Sequence, residues 1–119
     1  VKKDPQKLQI VLKELKQEYL LSLPKKIQEL HDLTLHEDYK ALEDAYHKLK
    51  GTGKTYGFPE ISVLAEQMEH LAVRNLPQKK LYFEKALSVM EKLKTSYEKN
   101  ERFSLETDPE ARTLLALKS

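Results

Sequence analysis

The chain has 119 residues, 34% charged and 39% hydrophobic, which suits one globular domain burying roughly two-thirds of its unfolded surface. Twenty-one Lys and Arg stand against 19 Asp and Glu, so the concentrated basic face that a nucleic-acid partner requires is missing. No apolar run approaches the roughly 18 residues of a membrane span, and the absence of cysteine excludes disulfides and thiolate metal or redox chemistry. No signal-like start is present, so the expected location is cytoplasmic. A start at Val1 fits a processed product or a piece of a longer protein.

Five prolines punctuate the chain: Pro5, Pro24, Pro59, Pro77 and Pro109. Each stands just before a stretch of helical periodicity, where its fixed φ and missing N–H do no harm. Asp4 and Asp108 precede two of them and are N-cap candidates. Leu8, Val11, Leu12, Leu15 and Tyr19 predict a first helix over about 5–21, and Ile27, Leu30 and Leu33 a short second one over about 24–33. A third is expected over about 36–56 and a fourth over 59–74, carried by Ile61, Leu64, Ala65, Met68, Leu71 and Ala72. A fifth, over about 77–99, is carried by Phe83, Ala86, Leu87, Met90, Leu93 and Tyr97. No period-two strand pattern is sustained anywhere. Short loops between amphipathic helices predict an all-α fold, an antiparallel four-helix bundle with a short additional helix. The bundle is expected over residues 1–103. Residues 104–119 read as a C-terminal tail or linker with a candidate short helix at "DPEARTLLALK".

All three glycines lie in "HKLKGTGKTYGF", residues 47–58. On a helical wheel Leu42, Tyr46, Leu49, Gly53 and Tyr56 share the core stripe, while His47, Lys50, Gly51 and Lys54 fall outward with Lys40 and Glu43. A helical glycine costs roughly 1 kcal/mol relative to alanine. Gly53 is explained by close approach of a neighbouring helix, and Gly57 by ending its own. Gly51 buries nothing; its use is to let a partner's backbone or a bulky group come near the imidazole. A phosphate-binding loop is excluded. "GKT" at 53–55 ends such a motif, but its first glycine would have to be Lys48, and the context is helical, not strand–loop–helix. A histidine metal site also fails: "HEDYK" puts lysine where H-E-x-x-H needs the second histidine, and His31, His36 and His70 read as surface residues.

"HKLKGTGKTYG" followed by "FPEISVLAEQMEHL" resembles the histidine-containing phosphotransfer (HPt) domains: His47, Leu49, Lys50, Gly51, Gly57 and Met68-Glu69 fill the motif positions. The resemblance covers roughly residues 8–100, with Thr52 in place of a usual Ser, Ala or Gly. "TYGFPEI" with "MEHL" is also similar to the amino-terminal phosphoacceptor domains of chemotaxis-type histidine kinases, where a glutamate at the Glu69 position approaches the histidine. The resemblance implies a phosphoacceptor at His47. Lys50, one turn on, is placed to neutralise phosphoryl charge. Glu69 is the first candidate to orient the imidazole and Glu43 the second, the other reading of Glu43 being an i,i+3 or i,i+4 surface pair with a neighbouring lysine. Gly51 would admit the partner, with Lys54 a further binding candidate. The implied partners are a response-regulator receiver domain, a histidine kinase catalytic domain, or both. No cofactor or metal is expected on this chain, the Mg²⁺ being the partner's. Such a domain is a carrier more than an enzyme, whether freestanding or part of a kinase. The alternative is a helical interaction module that keeps the scaffold without the chemistry.

Overall fold

A computed structural model describes residues 5–117. Five helices follow in chain order: α1 Pro5–Leu35, α2 Tyr39–Thr55, α3 Pro59–Ala72, α4 Lys79–Glu98 and α5 Pro109–Leu115. No strand occurs among the described residues. The first four form the antiparallel bundle, and the short additional helix is α5. No helix among the described residues is long and apolar enough to cross a membrane. Asp4, offered above as an N-cap, lies outside the described residues.

The expected break at residues 21–24 is absent. α1 runs 31 residues through Pro24, so the separate helix over 24–33 does not exist. Interior proline costs about 3 kcal/mol through a lost hydrogen bond and a ring clash. Here the ring is exposed to solvent. Tyr19, Leu23, Ile27, Leu30 and Thr34 meanwhile make one buried stripe across the proline. Burying large apolar side chains stabilises by about 1.5–3 kcal/mol each, so the stripe outweighs the local penalty. Thr34 stays satisfied by donating to the Leu30 carbonyl at 2.7 Å.

A second difference lies upstream. Leu8, Val11, Leu12 and Leu15, which marked the first helix as core-facing, are 38–55% exposed. α1 outreaches its neighbours, and the core begins at Tyr19. Tyr19 stacks on Tyr56 and Phe58 with centroids 5.1 and 5.5 Å away, closing that end of the bundle.

The remaining ends obey local rules. Asp38 caps α2 by accepting from Ala41 N at 3.1 Å, which is why α2 starts at 39, not 36. Gly57, at φ +88°, turns the chain out of α2, and Phe58 N donates back to Gly53 O at 2.7 Å. Pro59 opens α3 in its first turn. Pro77 lies in the turn before α4, which begins at Lys79 after the left-handed Gln78.

The segment after residue 103 shares the bundle's core. Leu105, Ala111 and Leu114 are buried, and α5 packs on α3 and α4. Asp108 caps α5 by accepting from Ala111 N at 3.0 Å. Lys92 of α4 clasps Asp108 at 2.8 Å and Glu110 at 2.9 Å, and Ser88 donates to Glu110. Gln67 of α3 donates to the Leu114 and Leu117 carbonyls.

Burial opposes the Asp108 charge, but Lys92 and the α5 N–H groups outweigh it and hold the carboxyl below its ordinary value. The Ser88 hydroxyl, then Lys92, do the same for Glu110. Two depressed carboxyls contribute stability that is full above their unfolded values, near pH 4, and is lost as the pH falls through the folded ones. Lys92→Met is therefore expected to lower stability at neutral pH by about 0.5–1 kcal/mol and to flatten the acid limb. Thermal denaturation between pH 7 and pH 3 checks both effects.

Candidate functional site

The site begins with the contact of α2 on α3. A Cβ on Gly53 would stand 2.9 Å from Ser62 Oγ and 3.1 Å from Ile61 Cβ, so only glycine lets the helices come this close. Ser62 then donates to the Lys50 carbonyl at 2.6 Å, locking the register. From Gly53 back to His47 is six residues and from Ser62 on to Glu69 is seven. At about 1.5 Å per residue in antiparallel helices, those steps carry both side chains to nearly the same height.

There His47 Nδ1 lies 2.9 Å from Glu69 Oε1. The other oxygen of Glu69, Oε2, forms an ion pair with Lys50 Nζ, also at 2.9 Å. The imidazole is 65% exposed, while the carboxylate beneath it is only 17% exposed. Lys50 chiefly, with His47 assisting and burial opposing, holds the Glu69 carboxyl below its ordinary value. The Glu69 interaction in turn raises Lys50. An ionised carboxylate only accepts hydrogen bonds, so Nδ1 carries the proton and donates it. In the neutral ring that leaves Nε2 as the nitrogen with a free lone pair.

The other predicted residues separate clearly. Gly51 is open: a Cβ there would meet nothing within 4 Å. Glu43 accepts from Lys40 at 3.0 Å, the surface-pair arrangement, and no hydrogen bond or ion pair joins it to His47. Lys54 is exposed on the outward face and makes no ion pair among the described residues. Residues 53–55 lie in α2, so "GKT" forms no phosphate loop. His31, His36 and His70 are exposed and lie outside this cluster, and no three potential metal ligands group together among the described residues.

Two positioning residues escaped the sequence reading. Ser62 is an ordinary serine until the antiparallel register sets it against Gly53. Thr52 looked only like a mild departure in a small-residue position. Its Oγ1 lies 2.8 Å from Tyr19 OH and ties α2 to α1 beside the open glycine.

A model of the Hpt domain family matches residues 14–100, well over half of the chain. The chain belongs to that family, whose members are helical phosphotransfer modules of phosphorelays and interact with receiver and kinase domains. Comparison with curated proteins and with solved structures finds no match.

Two outcomes follow from this geometry. Gly53→Ala is expected to destabilise by about 1–3 kcal/mol through overpacking, whereas Gly51→Ala stabilises by about 1 kcal/mol through helix propensity; chemical denaturation separates them. Lys50→Met removes the largest influence lowering Glu69 and leaves burial to act, so the Glu69 carboxyl should titrate at higher pH than in the parent. Carbon-detected NMR titration of that carboxyl reads the shift.

Proposed function

We propose that this member of the Hpt family is a phosphohistidine carrier in a two-component phosphorelay, with His47 as its acceptor. The 2.9 Å contact of Glu69 with Nδ1 of an exposed imidazole is the observation that carries the reading, because in the neutral ring it holds the proton on Nδ1 and leaves the Nε2 lone pair free. The Nε2 lone pair attacks the phosphorus of an acyl phosphate on a receiver aspartate. The bond from phosphorus to the aspartate oxygen breaks, the carboxylate leaves with that electron pair, and an N–P bond forms. Nδ1 keeps its proton, and Glu69 offsets the positive charge that the ring gains. Reversal returns the phosphoryl to a receiver; with a histidine kinase catalytic domain, ATP would be the donor and ADP the leaving group.

Lys50 stands one turn from His47, where its ammonium can turn from Glu69 to the three equatorial phosphoryl oxygens. Lys54 offers a second exposed cation on the same face. Open space above Gly51 suits the approach of a receiver's aspartate loop. In this reading Mg²⁺ belongs to the receiver or kinase, and the relay is cytoplasmic, where ATP and receivers are. The Glu69 contact favours the chemotaxis-like variant of the family, in which the acceptor histidine has a carboxylate partner.

Intact-mass analysis after mixing the chain with phosphorylated receiver domains, and with a histidine kinase catalytic domain plus ATP, tests the proposal. One acid-labile phosphoryl mapping to His47 and absent from His47→Gln is expected. Glu69→Ala should slow its acquisition on the order of 10- to 100-fold, as expected for an imidazole free to leave its reactive orientation. Binding to receivers with no transfer from any donor would leave an interaction module without chemistry.

A further inference from the structure

The first half of α1 carries an apolar stripe that the described chain leaves largely open, Leu15 alone bordering a groove shared with Thr52 and Tyr56. Every residue from Pro5 to Glu18 is exposed, and Leu8, Val11, Leu12 and Leu15 are 50, 48, 55 and 38% exposed. Their i, i+3, i+4, i+7 spacing sets them on one helical face within about 100°. Isolated apolar residues on a surface need no explanation, but a periodic face presents ridges and grooves for another helix.

One border of the stripe has its own complement. Lys7, Glu14 and Glu18 fall within about 40° of one another along it. None of the three forms an ion pair among the described residues. Set two copies of the helix antiparallel with Leu8 opposite Leu15 of the second copy. Val11 then meets Leu12, and the two-fold axis repeats both contacts. The same register places Lys7 between Glu14 and Glu18 of the second copy, again twice. A single alignment thus satisfies the apolar stripe and its charged border.

We infer that the α1 overhang is a homodimerisation helix whose occupant is a second copy of this chain, paired antiparallel. This goes beyond phosphotransfer and does not depend on it. Tyr19 is level with Thr52, so at about 1.5 Å per residue the stripe is centred on the order of 18 Å along the bundle from His47. Both histidine faces remain open in the dimer. Eight half-exposed side chains are fewer than an obligate homodimer buries, so the association is reversible and in the micromolar range.

Sedimentation equilibrium on the full chain from about 5 to 500 µM, a range that brackets such an affinity, tests the inference. The mass is expected to rise from 13.9 kDa toward twice that value. Leu12→Glu should hold it at the monomer without changing the melting temperature at concentrations below the dimerisation range, because that side chain packs on no core. Lys7→Glu should weaken the dimer about tenfold, as should the pair Glu14→Lys with Glu18→Lys. Mixing those two charge variants should restore association, since each then meets opposite charge. A monomer at every concentration overturns the inference, as does association indifferent to Leu12→Glu or a mixture no tighter than its parts. A monomer in which Leu12→Glu slows exchange with a receiver would assign the stripe to that partner instead.

Discussion

The pairing of His47 with Glu69 depends on the absence of one methyl group. At Gly53 the α2 backbone comes so near Ser62 and Ile61 that even a single added carbon would press on both at 2.9–3.1 Å. The interior glycine costs helix stability, yet the approach it permits lets Ser62 reach the Lys50 carbonyl. Hydrogen bonding and close packing there fix how far α3 can slide along α2. Two turns away, that setting decides whether a carboxylate stands beneath the imidazole or misses it. A residue with no side chain thus controls a contact it does not touch.

Glu69 links two functions in one group. Its oxygens are divided between an imidazole and an ammonium, and partial burial keeps both contacts less screened than on an open surface. Lys50 chiefly holds the carboxyl below its ordinary value, so the lysine reinforces the acceptor that keeps the proton on Nδ1. If a phosphoryl group draws the lysine away, the hold on the carboxylate loosens as the charge on the ring increases. Each group's electrostatics is therefore a property of the trio.

Much of this architecture was legible in the chain. Leu42, Tyr46, Leu49 and Gly53 share a helical face because a period of 3.6 demands it, and all four are buried. Asp108 before Pro109 announced the start of α5 through purely local chemistry. Pro24 misled because its local penalty was weighed without the buried stripe that crosses it. The exposed leucines of α1 misled differently: amphipathicity says which face is apolar, not what covers it. His47, Lys50 and Gly51 were visible as an outward group by periodicity. Glu69 was reached only through likeness to a family, since no spacing within one helix connects residues on two. Ser62 carried no local signal at all, whereas the pairing of Glu43 with Lys40 was open to the i,i+3 rule for lysines and carboxylates on one helix face.

The unbroken course of α1 has a mechanical consequence. Long helices bend most readily where a proline removes a rung of the ladder, and in α1 that place is Pro24, inside the bundle. The tie from Tyr19 to Thr52 lies on the overhang side of that weak point. The free arm and its fastening to α2 consequently form one stiff lever, and any flexing is displaced to the far side of its fulcrum. A load on the distant arm would be felt as torque at Thr52, the residue beside the open glycine, before the rest of the helix could yield.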